Sequence, residues 1–202
     1  MENMGKLIYI MGKSSSGKDT IYEEIRSREE LNLKPFIMYT TRPIRAKETD
    51  GVEYHFVSIE KMQQMQAEGK VIELRSYDTV HGIWYYFTAD GETVDMKNCD
   101  YIALGTLESY KKIRDYYGAD RVIPVYIEAE DGLRLERYIR RERKQEKPNF
   151  DEICRRFLSD QKDFAEEKIA EAGIERRFDN SGELQDCINE VYAYVKEMLL
   201  QS

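Results

Sequence analysis

The sequence predicts an α/β fold in which a parallel sheet is flanked by helices. Short apolar runs at residues 7–11, 101–104 and 121–129 are separated by helix-like stretches, an alternation typical of a parallel sheet covered on both faces. Between the first two runs, residues 36–88 are rich in β-branched and aromatic side chains, which predicts a small β-rich insertion. Ligands of such sheets bind at the carboxyl ends of the strands, where we therefore expect the functional site.

The composition excludes several classes of protein. The 202 residues include 31 basic and 39 acidic side chains, a formal net charge of −8, and 41% are apolar. This mixture predicts a single globular domain, and the acidic total argues against a nucleic-acid partner. No apolar run reaches the roughly 20 residues that cross a bilayer. The first residues also lack the basic region of a secretory signal, so we expect a cytoplasmic protein, monomeric or homodimeric, without a membrane partner.

The cysteines and histidines indicate no metal or disulfide chemistry. Cys99, Cys154 and Cys187 are widely spaced and form neither a disulfide framework nor a zinc pattern. Because free cysteine is mostly buried as a small apolar side chain, we expect all three to be packing residues. With two histidines in the chain, histidine-based metal or triad chemistry is disfavoured.

Local signals predict the elements of the first half. Ile21 and Ile25, four residues apart, indicate a helix after the first strand. Ser58 is expected to cap a helix that extends to Ala67. The strands predicted within the β-rich zone cover residues 36–41, 53–57, 71–77 and 82–88.

The last third of the chain, from residue 131, is predicted to be mostly helical. Pro148 is expected to end one helix before Asn149 or Asp151 caps the next. A short strand over residues 176–180 then precedes a final helix over residues 183–200.

The segment between the first strand and the first helix carries a phosphate-binding motif. Residues 12–18 read G-K-S-S-S-G-K, the G-x-x-x-x-G-K pattern of a P-loop, in the strand-to-helix context that the motif requires. Glycines let backbone N–H groups approach phosphate, and the helix N-terminus adds partial positive charge. A ligand-free Ser/Gly turn is the disfavoured alternative. The predicted ATP-binding residues are Gly12, Ser14, Ser15, Ser16, Gly17, Lys18, Asp19, Thr20 and Asn180.

The position after the P-loop lysine, where Ser or Thr is usual, is Asp19. A carboxylate beside anionic phosphates is unfavourable unless a divalent cation lies between them. Asp19 therefore predicts Mg²⁺ as the cofactor of ATP, with Thr20 available on the following turn. The alternative is that Asp19 only complements the helix dipole.

A second cluster predicts a site for an acceptor phosphate. Residues 40–45 read T-T-R-P-I-R, and the chain continues to Tyr54 and Glu73. Arg42 and Arg45 flank a proline and offer guanidinium forks that can hold a phosphate, with the Tyr54 hydroxyl as a third donor. Two arginines and a tyrosine alone are more often part of a solvated face. A P-loop upstream favours the acceptor site, because the γ-phosphate of a bound nucleotide needs an acceptor nearby.

These two motifs resemble the guanylate kinase family, whose members combine a P-loop with T-T-R-x-x-R and E-x-x-G-x-x-Y-x-F-V-S. The resemblance covers most of the chain and is most specific over residues 40–58. It implies a transferase that uses ATP and Mg²⁺ to phosphorylate GMP or dGMP. It further implies that GMP phosphate is bound by Arg42, Arg45, Tyr54 and Tyr85, and that Glu73 accepts hydrogen bonds from guanine N1 and N2. The implied organisation is a core of residues 1–34, 97–133 and 151–202, an acceptor-binding insertion 35–96 and a lid 134–150.

The chain departs from the family pattern around the base. Small hydroxyl residues of the family are replaced by Met38 and Phe87, so hydrogen bonds to guanine O6 are missing or come from Thr88, Thr40 or Tyr39. The acid that normally follows the third core strand is also absent from residues 101–106, and Asp19 is a candidate to supply its charge on the metal side.

The predicted lid is strongly basic. Its seven cationic residues are Arg134, Arg137, Arg140, Arg141, Arg143, Lys144 and Lys147. Phosphoryl transfer needs cations near the equatorial oxygens, although most of these side chains are equally consistent with a solvated helix. The family resemblance implies Arg137, Arg141 and Arg156 as catalytic cations, beside Lys18 and Arg42.

Two alternatives to a nucleoside monophosphate kinase remain open. The G-K-D form of the loop is similar to that of ribose bisphosphate phosphokinases, which favours an acceptor such as ribose 1,5-bisphosphate. A non-catalytic guanylate-kinase-like binding module is the other alternative, although such modules typically lose the P-loop glycines and lysine, and this chain retains Gly12, Gly17 and Lys18.

Overall fold

The computed structural model describes residues 5–79, 82–90 and 94–201. Residues 1–4, 80–81, 91–93 and 202, which the predicted core and insertion include, lie outside the described part of the chain. The described strands are β1 Leu7–Met11, β2 Lys34–Pro35, β3 Tyr39–Thr40, β4 His55–Phe56, β5 Val71–Thr79, β6 Gly82–Ala89, β7 Tyr101–Gly105, β8 Val122–Glu128 and β9 Arg177–Asp179. The described α-helices are α1 Lys18–Arg26, α2 Ile59–Ala67, α3 Leu107–Tyr117, α4 Asp131–Glu142, α5 Phe150–Asp163, α6 Glu166–Glu171 and α7 Leu184–Leu200.

The main sheet has five parallel strands in the order β2-β7-β1-β8-β9. Its central strand β1 is buried on both faces, since successive side chains of a strand point to opposite sides. Leu7, Tyr9 and Met11 pack in a cluster with α3 and α6, whereas Ile8 and Ile10 pack in a cluster with α1 and α7. The predicted α/β fold with a helix-flanked parallel sheet is confirmed.

A second sheet of four strands, in the order β4-β3-β6-β5, holds the predicted acceptor region. β5 and β6 form a long antiparallel pair in which Glu73 lies opposite Thr88 and Arg75 lies opposite Tyr86. One face of this sheet packs on α2, where Phe87 of β6 contacts Met62 and Met65. Side chains of β5 and β6 that point away from α2 are therefore directed toward the main sheet.

The strand predicted over residues 36–41 is too long, because within this range only Tyr39–Thr40 is a strand. Lys34–Pro35 pairs with β7 of the main sheet, whereas Tyr39–Thr40 pairs with β4 and β6 of the small sheet. Phe36 lies between them, buried against Tyr101 and Tyr117 with ring centroids 6.0 and 6.3 Å away. One apolar run thus crosses from one sheet to the other, a change that β-propensity does not detect.

The helix caps follow the sequence closely. Ser58 caps α2 by accepting a hydrogen bond from the Lys61 backbone, and Asn149 caps α5 by accepting one from the Glu152 backbone. Of the three cysteines, Cys187 is buried and Cys99 is half-buried, but Cys154 is exposed, so the packing role predicted for it is wrong. Among the described residues, no helix combines the length and apolarity needed to span a bilayer.

Candidate active site

The loop between β1 and α1 wraps around the side chain of Asn180, at the carboxyl end of β9. Asn180 is 2% exposed, and its Nδ2 donates to the Ser16 carbonyl over 2.7 Å. Gly17 has φ 93°, and a Cβ at this residue would overlap the Asn180 amide. Gly17 is therefore required both by its backbone conformation and by the close approach of Asn180. The predicted Asn180 is thus brought to the loop, where its side chain shapes the backbone.

Ser15 is the sharpest point of the loop. Its φ of 62° lies in the left-handed region, which costs a non-glycine residue about 1–2 kcal/mol. Arg137 donates to the Ser15 carbonyl over 3.4 Å and to the Asn180 carbonyl over 2.9 Å, and Arg141 donates to the Ser15 Oγ over 3.4 Å. Two of the predicted catalytic arginines therefore contact the loop directly.

The third predicted arginine, Arg156, lies on the opposite wall of the same cavity. Its Nε donates to Glu152 over 2.8 Å, and this contact, with that of Arg155, lowers the pKa of the Glu152 carboxyl to about 2. The cavity has a volume of about 590 Å³ and reaches from Gly17, Lys18 and Thr20 to the arginines of α4 and α5. The fold thus brings the P-loop and the three predicted arginines around one space.

Arg134, which the sequence grouped with the solvated lid cations, is instead completely buried. Its guanidinium donates to the Ser14 carbonyl over 3.0 Å, to Asp131 over 2.5 Å and to Asp160 over 2.8 Å. Asp160 in turn accepts from the Ser14 backbone N–H over 2.8 Å. Arg134 and Asp160 therefore form a clamp, a linked pair that binds the carbonyl and the N–H of Ser14 in the P-loop. The signal that could have found this role is the position of Arg134 on the same face of α4 as the buried Tyr138, four residues on.

Lys18 and Asp19 lie at the mouth of the loop. The Lys18 Nζ is 3.1 Å from the Asp19 carboxylate, and their side chains are 18% and 71% exposed. Among the described residues, no three His, Cys, Asp or Glu side chains converge on a metal position. One exposed carboxylate with the exposed hydroxyl-bearing Thr20 nevertheless fits Mg²⁺, which keeps several waters and is usually held by one or two carboxylates plus substrate phosphates.

On the acceptor side, Arg42 is fixed by Glu48. The two form a bidentate pair with N–O distances of 2.6 and 2.7 Å, and the Arg42 side chain is 3% exposed. The guanidinium also lies 5.3 Å from the Tyr54 ring centroid. The Arg42 contact lowers the pKa of Glu48 to about 2. Arg45 is exposed beside this group, and its backbone N–H donates to Glu48 over 2.9 Å.

The structure does not bring the predicted Tyr85 to this group. Its side chain packs against the apolar cluster on α2, because it shares a strand face with Phe87 and Ala89. The neighbouring residue Tyr86 points to the site instead, with its ring centroid 5.6 Å from that of Tyr54. The tyrosine prediction is therefore off by one residue, which in a strand reverses the face.

Glu73 is buried in the joint between the two sheets. It is 5% exposed and accepts hydrogen bonds from Thr88 over 2.9 Å, from Ser109 of α3 over 2.7 Å and from Arg75 over 3.0 and 3.2 Å. Of the three hydroxyl residues considered for guanine O6, Thr88 is thus the one beside Glu73.

The other two hydroxyl residues, Thr40 and Tyr39, make different contacts. The hydroxyl of Thr40 donates to the Tyr85 carbonyl over 2.9 Å, and the Tyr39 ring is stacked on Phe87 at 5.1 Å. The sequence reasoning missed both Arg75 and Ser109 as partners of Glu73. The alternation of β5, which places Arg75 on the same strand face as Glu73, could have indicated the first.

A second cavity lies between the P-loop and the small sheet. It has a volume of about 600 Å³ and lies between Gly12 and Lys18 of the P-loop and Arg75 and Tyr77 of β5. Thr106 and the first turns of α3 also line this cavity. A ligand on the small sheet would therefore face the phosphate loop across one continuous space.

The parallel sheet, and the glycine-bounded loop that connects its central strand to α1, define the class: an α/β protein of the P-loop type. A family model described as guanylate kinase matches residues 4–201. The chain belongs to the guanylate kinase family, and the resemblance seen in the sequence is confirmed.

Curated relatives and a solved structure agree with this assignment. The chain is 32% identical over 126 residues to a guanylate kinase of Porphyromonas gingivalis and 36% identical over 77 residues to one of Bacillus subtilis. These alignments cover 61% and 38% of this chain and 65% and 38% of the relatives, so it matches less than two thirds of their length. The crystal structure of a guanylate kinase from Anaplasma phagocytophilum has a TM-score of 0.60 at 16% identity, covering 98% of this chain and 88% of that one, which shows the fold.

Proposed function

We propose that this protein transfers the γ-phosphoryl group of ATP to a nucleoside monophosphate, GMP or dGMP. The observation that carries the proposal is the cavity of about 600 Å³ that Lys18 and Gly12 share with Arg75 and Tyr77. A donor held by the loop and an acceptor held by the small sheet would meet in this cavity. The family of the chain and the curated guanylate kinases it matches support the choice of acceptor.

Catalysis in this proposal rests on positioning and charge. The loop amides and Lys18 hold the β- and γ-phosphates, while Arg42, Arg45, Tyr54 and Tyr86 hold the acceptor phosphate. Arg137, Arg141 and Arg156 face the same loop and neutralise the charge that spreads over the transferred group. The acceptor oxygen is already anionic, so no protein base is required.

Asp19 and Thr20 are the residues that would hold Mg²⁺. When bound, the ion neutralises charge on the β- and γ-phosphate oxygens. Lys18, which pairs with Asp19 over 3.1 Å in this structure, would then be free to bind phosphate. A cytoplasmic location and a monomeric or homodimeric state stay predictions from the sequence.

A coupled ADP-release assay with a panel of acceptors tests the proposal. With ATP and Mg²⁺, we expect turnover of GMP and dGMP and much slower turnover of AMP, CMP and UMP. Lys18→Ala removes the cation at the β- and γ-phosphates and is expected to lower kcat by about 10²-fold or more. Lys61→Ala, a matched change on the exposed face of α2, should leave kcat unchanged.

Two results would contradict the proposal in different ways. Turnover of ribose 1,5-bisphosphate with no turnover of any nucleoside monophosphate would identify a kinase of another acceptor. Absence of turnover with every acceptor would indicate a binding module.

A further inference from the structure

The carboxylate that the family resemblance assigns to guanine is already occupied in this chain. Glu73 Oε1 accepts hydrogen bonds from the Thr88 and Ser109 hydroxyls and from Arg75 Nη2, while Oε2 accepts one from Arg75 Nε. A carboxylate offers about four lone-pair sites, two on each oxygen. The Oε1 atom therefore has no lone pair left, and Oε2 has one, so the carboxylate cannot accept from both guanine N1 and N2 while it keeps these contacts.

Displacement of Arg75 would be unfavourable. The Glu73 side chain is 3% exposed and the Arg75 side chain 16% exposed. Separating the pair would leave a buried carboxylate without its counter-charge, which is strongly destabilising. The structure thus favours an acceptor that is read while the Arg75–Glu73 pair stays intact.

One edge of Arg75 is available for this reading. The guanidinium has five N–H groups, and the contacts with Glu73 use the edge formed by Nε and Nη2. In the part of the chain that the structure describes, no protein group accepts from the other edge, where Nη1 and Nη2 present two parallel N–H groups. Arg75 also lines the cavity that contains Lys18.

Two parallel donors match a particular edge of guanine. Guanine presents its O6 and N7 acceptors side by side, and a bidentate arginine is the commonest specific contact to them. Adenine has an amino donor in place of O6 and cannot accept both hydrogen bonds. This contact would also replace the hydroxyl donor that is lost where the chain has Met38.

We propose that Arg75, held in place by Glu73, recognises the O6 and N7 edge of the acceptor guanine. Arg75 is then the residue that determines base specificity, and Glu73 is a positioning residue. The inference rests on the proposed function and adds to it the atoms by which the acceptor is read.

Three acceptors test which edge of guanine is read: GMP, its 7-deaza analogue without N7, and IMP without the 2-amino group. For the wild-type chain we expect kcat/KM to fall by about 5-fold or more with 7-deaza-GMP, since one good bidentate contact discriminates by that much. IMP keeps O6 and N7, so its kcat/KM should stay within about 3-fold of that of GMP. The opposite pattern, a large loss with IMP and none with 7-deaza-GMP, would overturn the inference and return the reading to Glu73.

Variants of Arg75 assign the effect to this side chain. Arg75→Ala should raise KM for GMP with a smaller effect on kcat, and should make GMP and 7-deaza-GMP equivalent. Arg75→Lys keeps the charge but loses the fork, so it should also lose the discrimination. Arg26→Ala, on the exposed end of α1, is the matched control and should behave as wild type.

The outcomes separate the two proposals. Discrimination against 7-deaza-GMP that survives in folded Arg75→Lys would overturn the role of Arg75 and leave the kinase assignment intact. If Arg75→Ala does not fold, the wild-type comparison of the three acceptors still decides which edge is read. Absence of turnover with all three acceptors would contradict the kinase proposal and this inference together.

Discussion

Glu48 shows how a single carboxylate organises the acceptor side. It accepts both hydrogen bonds of the Arg42 fork and the backbone N–H of Arg45, so it orients both predicted phosphate ligands. The pair is largely withdrawn from solvent, with side chains 3% and 15% exposed. Glu48 therefore fixes the position of the Arg42 guanidinium.

This arrangement predicts a pH dependence of stability. The hydrogen bonds from Arg42 lower the folded-state pKa of Glu48 from 4.5 to about 2. Because the pKa is lower in the folded state, the ionised carboxylate stabilises the fold at pH values above the unfolded-state pKa of 4.5. This contribution is lost as the pH falls from 4.5 towards about 2. The unfolding free energy of Glu48→Gln, which lacks this contribution, should approach that of wild type as the pH falls.

Urea denaturation at about pH 5 and about pH 3 measures the difference. Glu146→Gln, an exposed change between α4 and α5, is the control and should differ little from wild type at either pH. A wild-type to Glu48→Gln difference that stays constant between the two pH values would contradict the predicted coupling.

At the residue scale, sequence reasoning found the chemistry more reliably than the direction of side chains. Arg42 and Tyr54 lie together, with the guanidinium 5.3 Å from the ring centroid, and Glu73 lies on β5 of the same small sheet. Tyr85 and Tyr86 are chemically equal in the sequence, and the register of β6 against α2 decides between them. Register depends on the whole sheet, which a local pattern does not contain.

At the scale of elements, the P-loop depends on helices that follow it by more than 100 residues. Arg134 of α4 and Asp160 of α5 bind the carbonyl and the N–H of Ser14. The same two helices, α4 and α5, therefore line the cavity of about 590 Å³ and hold the phosphate loop in place.

Arg134→Met tests this clamp. It removes a fully buried cation and leaves Asp160, 14% exposed, without its partner. Breaking such a pair costs about 3 kcal/mol or more of unfolding free energy. Calorimetric affinity for ATP should fall as well, because Ser14 loses its support.

Arg140→Met is the matched control on the same helix. Arg140 is exposed, so its unfolding free energy should stay within about 0.5 kcal/mol of wild type. Equal stability and equal ATP affinity for the two variants would show that the clamp has no role.

The elements themselves were largely predictable, because their signals are local. β1 has the predicted bounds, and Ser58 and Asn149 cap the helices that they were expected to cap. The exception is the chain from β2 to β3, where a continuous apolar run divides between two sheets. The burial of Arg134 was missed because a guanidinium in a basic run resembles a solvated face, although its position four residues before Tyr138 on the same helix face could have indicated it.

At the scale of the whole molecule, two sheets surround one cleft. The parallel sheet carries the phosphate loop at its carboxyl edge, and Arg75 and Tyr77 of the small sheet line the same cavity as this loop. Glu73 of the small sheet and Ser109 of α3 join the two over 2.7 Å. The alternation of apolar runs predicted the first sheet, whereas the packing of the second sheet against it is a tertiary property.

We propose that the phosphoryl group passes from a ligand held on one of these sheets to a ligand held on the other. Phosphorus NMR of the chain with ATP, Mg²⁺ and GMP tests this transfer, because it resolves ATP, GMP, the nucleoside diphosphates and inorganic phosphate in one sample. Transfer between these ligands predicts that two nucleoside diphosphates form for each GMP consumed, with little free phosphate. Loss of ATP with inorganic phosphate as the product and GMP unchanged would contradict it.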